Sequence, residues 1–225
     1  MKRWEAIDTT SIPNGGGELK LLSRDGDFVI RITGTTGDLM SSRTHGSEDA
    51  LGELGCSNCS ESDSPKVLVG GLGMGFTLAA SLASLPANAS VVVAELVPGV
   101  ARWNKEFIGE CAGHPLSDKR VTLTIGDVGE LINRAAHGYD SILLDVDNGP
   151  EGFTQASNDH LYSLQGLERA YQALRPSGVL AIWSASPVPH FSAMLRKTRF
   201  RVTERRVRAH AGKGARHMIW LAQRD

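Results

Sequence analysis

Between Lys66 and Leu78 the chain reads KVLVGGLGMGFTL, and this stretch limits the available folds more than any other. Lys66–Val69 is a short apolar run, the pattern of a parallel strand covered on both faces. Gly70, Gly71, Gly73 and Gly75 follow, where the backbone can turn sharply and pass close to a ligand. Thr77–Leu85 then carries the small and apolar residues of a helix packed on a sheet. Strand, glycine turn and helix N-terminus together make a site for nucleotide-like ligands, because exposed amides face a surface free of side chains. A glycine turn alone is equally compatible with a tight bend. The next apolar run, Ser90–Glu95, strengthens the nucleotide reading. It ends in a carboxylate about 20 residues on, where such folds bind the two hydroxyls of a ribose.

Residues 67–94 carry no charge, as a membrane span would. Four glycines, Pro86 and Asn88 interrupt the run, however, and strand–turn–helix accounts for it without a membrane. At 225 residues, 41% hydrophobic and with net charge −1, the chain is expected to form one main globular domain with a small appendage. Cys56, Cys59 and Cys111 do not make a disulfide framework, and an odd count fits a reducing cytoplasm. Cys56-Ser-Asn-Cys59 has metal or redox spacing but no second pair to complete a zinc site, so no metal is expected. The opening MKRWEAIDTT lacks the apolar core of a signal peptide, which points to a cytoplasmic location. From Arg196 to Asp225 ten Lys/Arg face two acids, a net of +8, against −9 elsewhere. Such a tail could meet RNA. Without interleaved aromatics for base stacking it reads better as a charged edge hairpin, and no nucleic-acid partner is expected.

Residues 1–62 read as a β-rich appendage. Glu18–Ser23 and Phe28–Ile32 flank Asp25-Gly26, a strong hairpin signal. Leu39–Ser42 is a candidate third strand, Ser47–Leu54 a short helix, and Cys56–Pro65 a polar linker. From 63 to 225 strand and helix alternate, as a doubly wound sheet requires. Strands are predicted at 66–70, 90–95, 121–125, 139–145 and 178–184, with helices at 75–85, 98–110, 128–136, 159–174 and 188–197. Phe200–Ala209 and His217–Ala222 close the chain as a hairpin.

A hairpin ending a five-stranded parallel sheet resembles the Rossmann-like fold of S-adenosylmethionine-dependent methyltransferases, an α/β fold with a seven-stranded, mostly parallel sheet. Gly-Asp127 after Val121–Ile125, Asp145 after Tyr139–Leu144, and Leu174–Trp183 sit at the expected strand and helix ends. Together with Gly71–Gly75 and Glu95, they resemble the spermidine synthase branch of that fold, closely over 66–187 and loosely before. The resemblance implies an adenosyl site. Gly71, Gly73 and Gly75 would pass under the ligand, and Glu95 would take the ribose hydroxyls. Asp127 would meet the exocyclic amine of adenine, with Val128 against the ring. Asp127 can also serve as a helix N-cap. Removing the Glu95 carboxylate is expected to weaken binding and leave the fold unaffected.

Asp145 and Asp147 project the same way if strand geometry persists, putting two carboxylates at the carboxyl end of a central strand. In a transfer from a sulfonium the electrophile is already activated, so the protein must align an uncharged nucleophile and accept its proton. Both residues are therefore candidate catalytic groups; Asp147 equally suits a turn in Asp147-Asn-Gly-Pro150. Departures from the family fall on the polyamine side. Met74 stands where an acidic residue holds the amine of decarboxylated S-adenosylmethionine, Asn148 where a second Asp is expected, and Trp183 where a glutamine ends the fifth strand. The family's tyrosine has no counterpart in Thr44–Glu48. Tyr162 matches a family position but suits a half-buried helix tyrosine. Trp103 and Trp183 suit an apolar pocket or plain core packing.

The expected function is a spermidine synthase-like transferase that binds S-adenosylmethionine and methylates a small-molecule acceptor. Two alternatives stand beside it: an aminopropyltransferase using decarboxylated S-adenosylmethionine, and a non-catalytic adenosyl-binding homologue. The hairpin edge and the appendage offer surfaces for a homodimer.

Overall fold

The computed structural model describes residues 3–35, 37–146, 150, 159–210 and 213–225. Its first part is an antiparallel four-stranded sheet: β1 (Glu5–Ser11), β2 (Glu18–Arg24), β3 (Asp27–Ile32) and β4 (Met40–Ser41), in that spatial order. Asp25 and Gly26 both take positive φ, 53° and 87°, and make the tight β2–β3 turn expected of Asp-Gly. Strand β1 was not expected. Its residues EAIDTTS are mostly exposed and carry no apolar face, so pairing with β2 makes it a strand rather than its own pattern.

The second sheet has seven strands. These are β5 (Lys66–Gly70), β6 (Ser90–Glu95), β7 (Val121–Ile125), β8 (Tyr139–Leu144), β9 (Leu174–Ser184), β10 (Arg201–His210) and β11 (Lys213–Gln223). They lie in the order β10-β11-β9-β8-β5-β6-β7. Only β11 runs against the common direction of the other six strands. The fold is the Rossmann-like one expected. The chain winds outward from β5 through β6 to β7, then returns to lay β8 on the other side of β5. That reversal opens a crevice at the carboxyl ends of β5 and β8, where such sheets hold ligands.

Among the described residues seven α-helices occur in chain order: α1 (Gly46–Gly55), α2 (Phe76–Ser84), α3 (Pro98–Glu106), α4 (Val128–Arg134), α5 (Asp159–Tyr162), α6 (Leu164–Ala173) and α7 (Phe191–Lys197). The helix expected over 159–174 is two, because the Ser163 side chain accepts from the Gly166 amide (3.0 Å) in an extended conformation that caps α6. Strand β9 starts at Leu174, earlier than predicted, with a register irregularity against β8.

The pleat divides the core. Leu68, Ile142, Leu180 and Trp220 pack on one face of the large sheet, and Val67, Val69, Leu143, Ala181 and Ile219 on the other. Helix α1 belongs to the second cluster through its fully buried Leu51. Its Gly52 lies so close to α2 that a Cβ there would stand 2.7 Å from the Thr77 carbonyl oxygen. This helix, assigned by sequence to the 1–62 appendage, thus packs on the large sheet. A third cluster, including Leu21, Ile30, Val100 and Trp103, joins the small sheet to α3. Trp103 is fully buried and donates from Nε1 to Asp8 Oδ2 (2.5 Å), so it is core rather than pocket wall. Among the described residues no helix is long and apolar enough to cross a membrane.

Candidate active site

The crevice is a cavity at the ends of β5, β6, β7 and β8, lined by Gly71, Gly73, Glu95, Asp127 and Val128. Five of the six residues expected at an adenosyl ligand thus share one surface. The sixth, Gly75, stands a turn further on as the N-cap of α2 and does not line it. Gly71 is required twice over. Its φ is +89°, and a Cβ would lie 2.2 Å from the Asp145 carbonyl oxygen. Buried Asn104, on α3, braces the turn by donating from Nδ2 to the Gly73 carbonyl (2.8 Å).

Glu95 ends β6 with its carboxylate buried. Oε2 accepts from the Leu72 amide (2.9 Å) and Oε1 from the Val97 amide (2.8 Å). Burial pushes its pKa up, and the amides of Val97, Leu72, Gly73 and Leu96 oppose that rise. Two of these amides, those of Leu72 and Gly73, belong to the glycine turn. The carboxylate therefore also braces the glycine turn, and the expectation that its loss would leave the fold unaffected does not suit this geometry. Asp127 caps α4, its Oδ1 accepting from the Gly129 amide (2.7 Å), while Oδ2 lies 3.7 Å from His160 Nε2. One oxygen supports the helix and the other stands beside His160, while the residue also lines the cavity. Ile12, Leu19 and Ile32 of the small sheet close the cavity opposite these groups.

A second, smaller cavity adjoins the first, about 50 Å³ against about 110 Å³. Asp145 lines both and so sits at their junction. Its Oδ2 accepts from Thr77 Oγ1 (2.6 Å). Burial raises its pKa to about 6 despite the Thr77 hydrogen bond, which lowers it. Facing it across the smaller cavity is Glu48 of α1, a residue that sequence reasoning did not select. Burial, then the negative charge of Asp145, raise Glu48 to about 7, while the Ser47 hydroxyl and His45 act the other way. Two carboxyls so placed resist ionising together, and near neutrality the pair retains a proton. Met40, Met74, Phe76 and Trp183 supply the apolar wall. Burial leaves Trp183 Nε1 without a hydrogen-bond partner among the described residues.

Other expected residues fall elsewhere. Asp147 and Asn148 lie outside the described residues. Tyr162 is buried edge-on to Phe191, with ring centroids 5.9 Å apart, and belongs to the core. Met74 is buried and does reach the smaller cavity, but offers an incoming ammonium no charge. Cys56 and Cys59 are both buried thiols. Among the described residues no cluster of His, Cys, Asp and Glu could hold a metal ion.

Known proteins resemble this chain to different degrees. Putrescine N-methyltransferase 3 of Nicotiana tabacum is 33% identical over 122 residues, a stretch that takes up 54% of this chain and 30% of that enzyme. A spermidine synthase solved with the transition-state analogue AdoDATO superposes with a TM-score of 0.75 at 15% identity, over 98% of this chain and 72% of that one. The Thermotoga maritima spermidine synthase gives 0.77 at 16% identity, over 98% and 73%. At such identities the likeness establishes the fold alone. The sequence model of the spermine/spermidine synthase domain, however, matches residues 51–218. That span begins within α1 and ends within β11, taking in Gly71, Glu95, Asp127 and Asp145 but not Glu48, and the chain belongs to the spermine/spermidine synthase domain family.

Proposed function

We propose that this chain transfers a carbon group from the sulfonium of S-adenosylmethionine, or a close relative, to a small amine, and that the group is methyl. One observation carries the proposal: Asp145 stands where the larger cavity, lined by the glycine turn and Glu95, meets a smaller one holding two carboxyls and an apolar wall. In the larger cavity Glu95 and Asp127 would hold ribose and adenine over Gly71 and Gly73. In the smaller one an acceptor ammonium would lie between Asp145 and Glu48, losing a proton to the pair to become a nucleophile. Its nitrogen lone pair then forms the new N–C bond as the S–C electrons return to sulfur, leaving a neutral thioether. The carboxyl pair suits that task because its pKa values, about 6 and about 7, lie close to neutral pH.

Methyl is favoured because buried Met74 offers no anchor for the amine of the decarboxylated cosubstrate, and an unpaired buried ammonium is costly. The name of the tobacco relative agrees. Aminopropyl transfer is the second reading, supported by the names of the structural neighbours. Calorimetry with each cosubstrate, followed by mass analysis of putrescine incubations, decides between them. We expect intact S-adenosylmethionine to bind at least as tightly and a methylated amine to form. Ten-fold tighter binding of the decarboxylated form, about 1.4 kcal/mol, together with spermidine as product, would install the second reading. Tight binding of either without any product would leave a non-catalytic adenosyl-binding protein.

A further inference from the structure

The C-terminal hairpin, expected to be no more than a charged edge, packs behind the wall of the smaller cavity. The first turn of α1 lies directly against it: a Cβ on Gly46 would stand 3.3 Å from the carbonyl oxygens of Arg208 and Ala209. Beside this contact, fully buried Ser47 bridges two elements. Its Oγ donates to Glu48 Oε2 (2.6 Å) and lies 2.8 Å from Nδ1 of His217 on β11. The proton count fixes the directions. A hydroxyl has one proton, and an ionised carboxylate only accepts. When Glu48 is ionised, Ser47 must give its proton to Glu48, and its oxygen can then only accept from His217 Nδ1–H. His217 is half-buried, which lowers its pKa and favours the neutral ring; in its Nδ1–H tautomer that ring is the donor to Ser47. It also stands edge-on to Trp183, with ring centroids 4.8 Å apart, and Trp183 lines the same cavity as Glu48.

We infer that His217 is a positioning residue for the acceptor site, acting through Ser47 to orient the Glu48 carboxyl and to favour its ionised form. The inference rests on the proposed role of Glu48 as the second carboxyl of that site. Among the other charges near Glu48, His45 also favours the ionised form, with a smaller effect than the Ser47 hydroxyl. Asp145, at the end of β8, opposes ionisation of Glu48. His45, at the start of α1, is engaged by Asp49 Oδ2 (2.7 Å). On the hairpin, Arg206, Arg208 and Arg216 are exposed. The Ser47–His217 arm is the neutral donor chain that favours the charged form of Glu48.

The test reads Glu48 directly and needs no substrate. Carbon-13-labelled glutamate is titrated by NMR in the full chain, with E48Q to assign the signal. Removing the donor with His217→Leu should raise the Glu48 midpoint by about half a pH unit or more, the scale of one neutral hydrogen bond. His217→Asn, which returns an N–H near Nδ1, should restore most of it. Ser47→Ala should produce the same rise, and adding His217→Leu to it should change nothing further. An unchanged midpoint in His217→Leu, or an equal shift in His217→Asn, would overturn the inference. Should His217→Leu fail to fold, Ser47→Ala with and without His217→Asn gives the same comparison: a second, additive shift there would refute the chain. Loss of amine transfer in the wild type would count against the proposed function alone, because this titration does not depend on turnover.

Discussion

Replacing Glu48 with glutamine should stabilise the protein at alkaline pH and have little effect at acid pH. Glu48 titrates at about 7 in the folded chain against an ordinary 4.5. Between those values the native state holds a proton that the unfolded chain has released. Stability must therefore fall as pH rises through that window, because the unfolded state binds fewer protons there. Above pH 7 the full cost of keeping the carboxyl ionised applies, about 3 kcal/mol from the size of the displacement. Glutamine keeps the shape of the side chain and can still accept from Ser47, so it removes the charge without opening a cavity. It also removes the charge repulsion between Glu48 and Asp145. Urea unfolding at pH 4, 6 and 8 measures the difference. The variant should match wild type at pH 4 and exceed it by about 3 kcal/mol at pH 8, with an unchanged denaturant slope. A difference that stays constant across the three pH values would refute the account, because a pH-independent gain cannot come from a titrating carboxyl.

Two further substitutions test the larger cavity. Gly71→Ala should weaken binding of S-adenosylmethionine at least ten-fold by calorimetry, because its Cβ would meet the Asp145 carbonyl oxygen at 2.2 Å at a φ of +89°; undiminished binding would mean that the ligand lies elsewhere. Glu95→Ala should cost binding about 1.5–3 kcal/mol, the scale of a hydrogen bond to a charged group. It should also lower the melting temperature, since the amides of Leu72 and Val97 lose their acceptor; a variant that melts with wild type yet binds poorly would deny Glu95 its bracing role.

What could be read from the sequence follows from what each feature depends on. The run Val67-Leu68-Val69 announces a strand covered on both faces because burial on two sides demands apolar side chains at every position, and the structure buries all three. Glu95 could be found because a strand, a turn and a helix fix its distance from the glycines. Glu48 could not. It stands in the first turn of α1 beside Asp49, where either acid is explained by the helix terminus. Only the folding of α1 over the large sheet brings one of them to Asp145, far along the chain, and leaves the other on His45. Strand β1 was hidden for the opposite reason, since its partner β2 supplies what its own residues lack. The placement of α1 escaped too, because the polar stretch after it looks like a boundary while Leu51 and Gly52 do their packing before it.

The small sheet shares no strand with the large one among the described residues. Side chains alone hold the two together, and the larger cavity lies along that seam. A molecule bound there would act as mortar between two separately hydrogen-bonded blocks. Its residence time would then be governed by how readily the blocks part, rather than by any one contact. Each would also lend the other its stability: at a hundred-fold excess over the dissociation constant, the occupant adds about 2.7 kcal/mol to the joined state. Protease cutting between β4 and β5 would therefore report occupancy of the seam, slowing when it is filled even though the cut lies outside it.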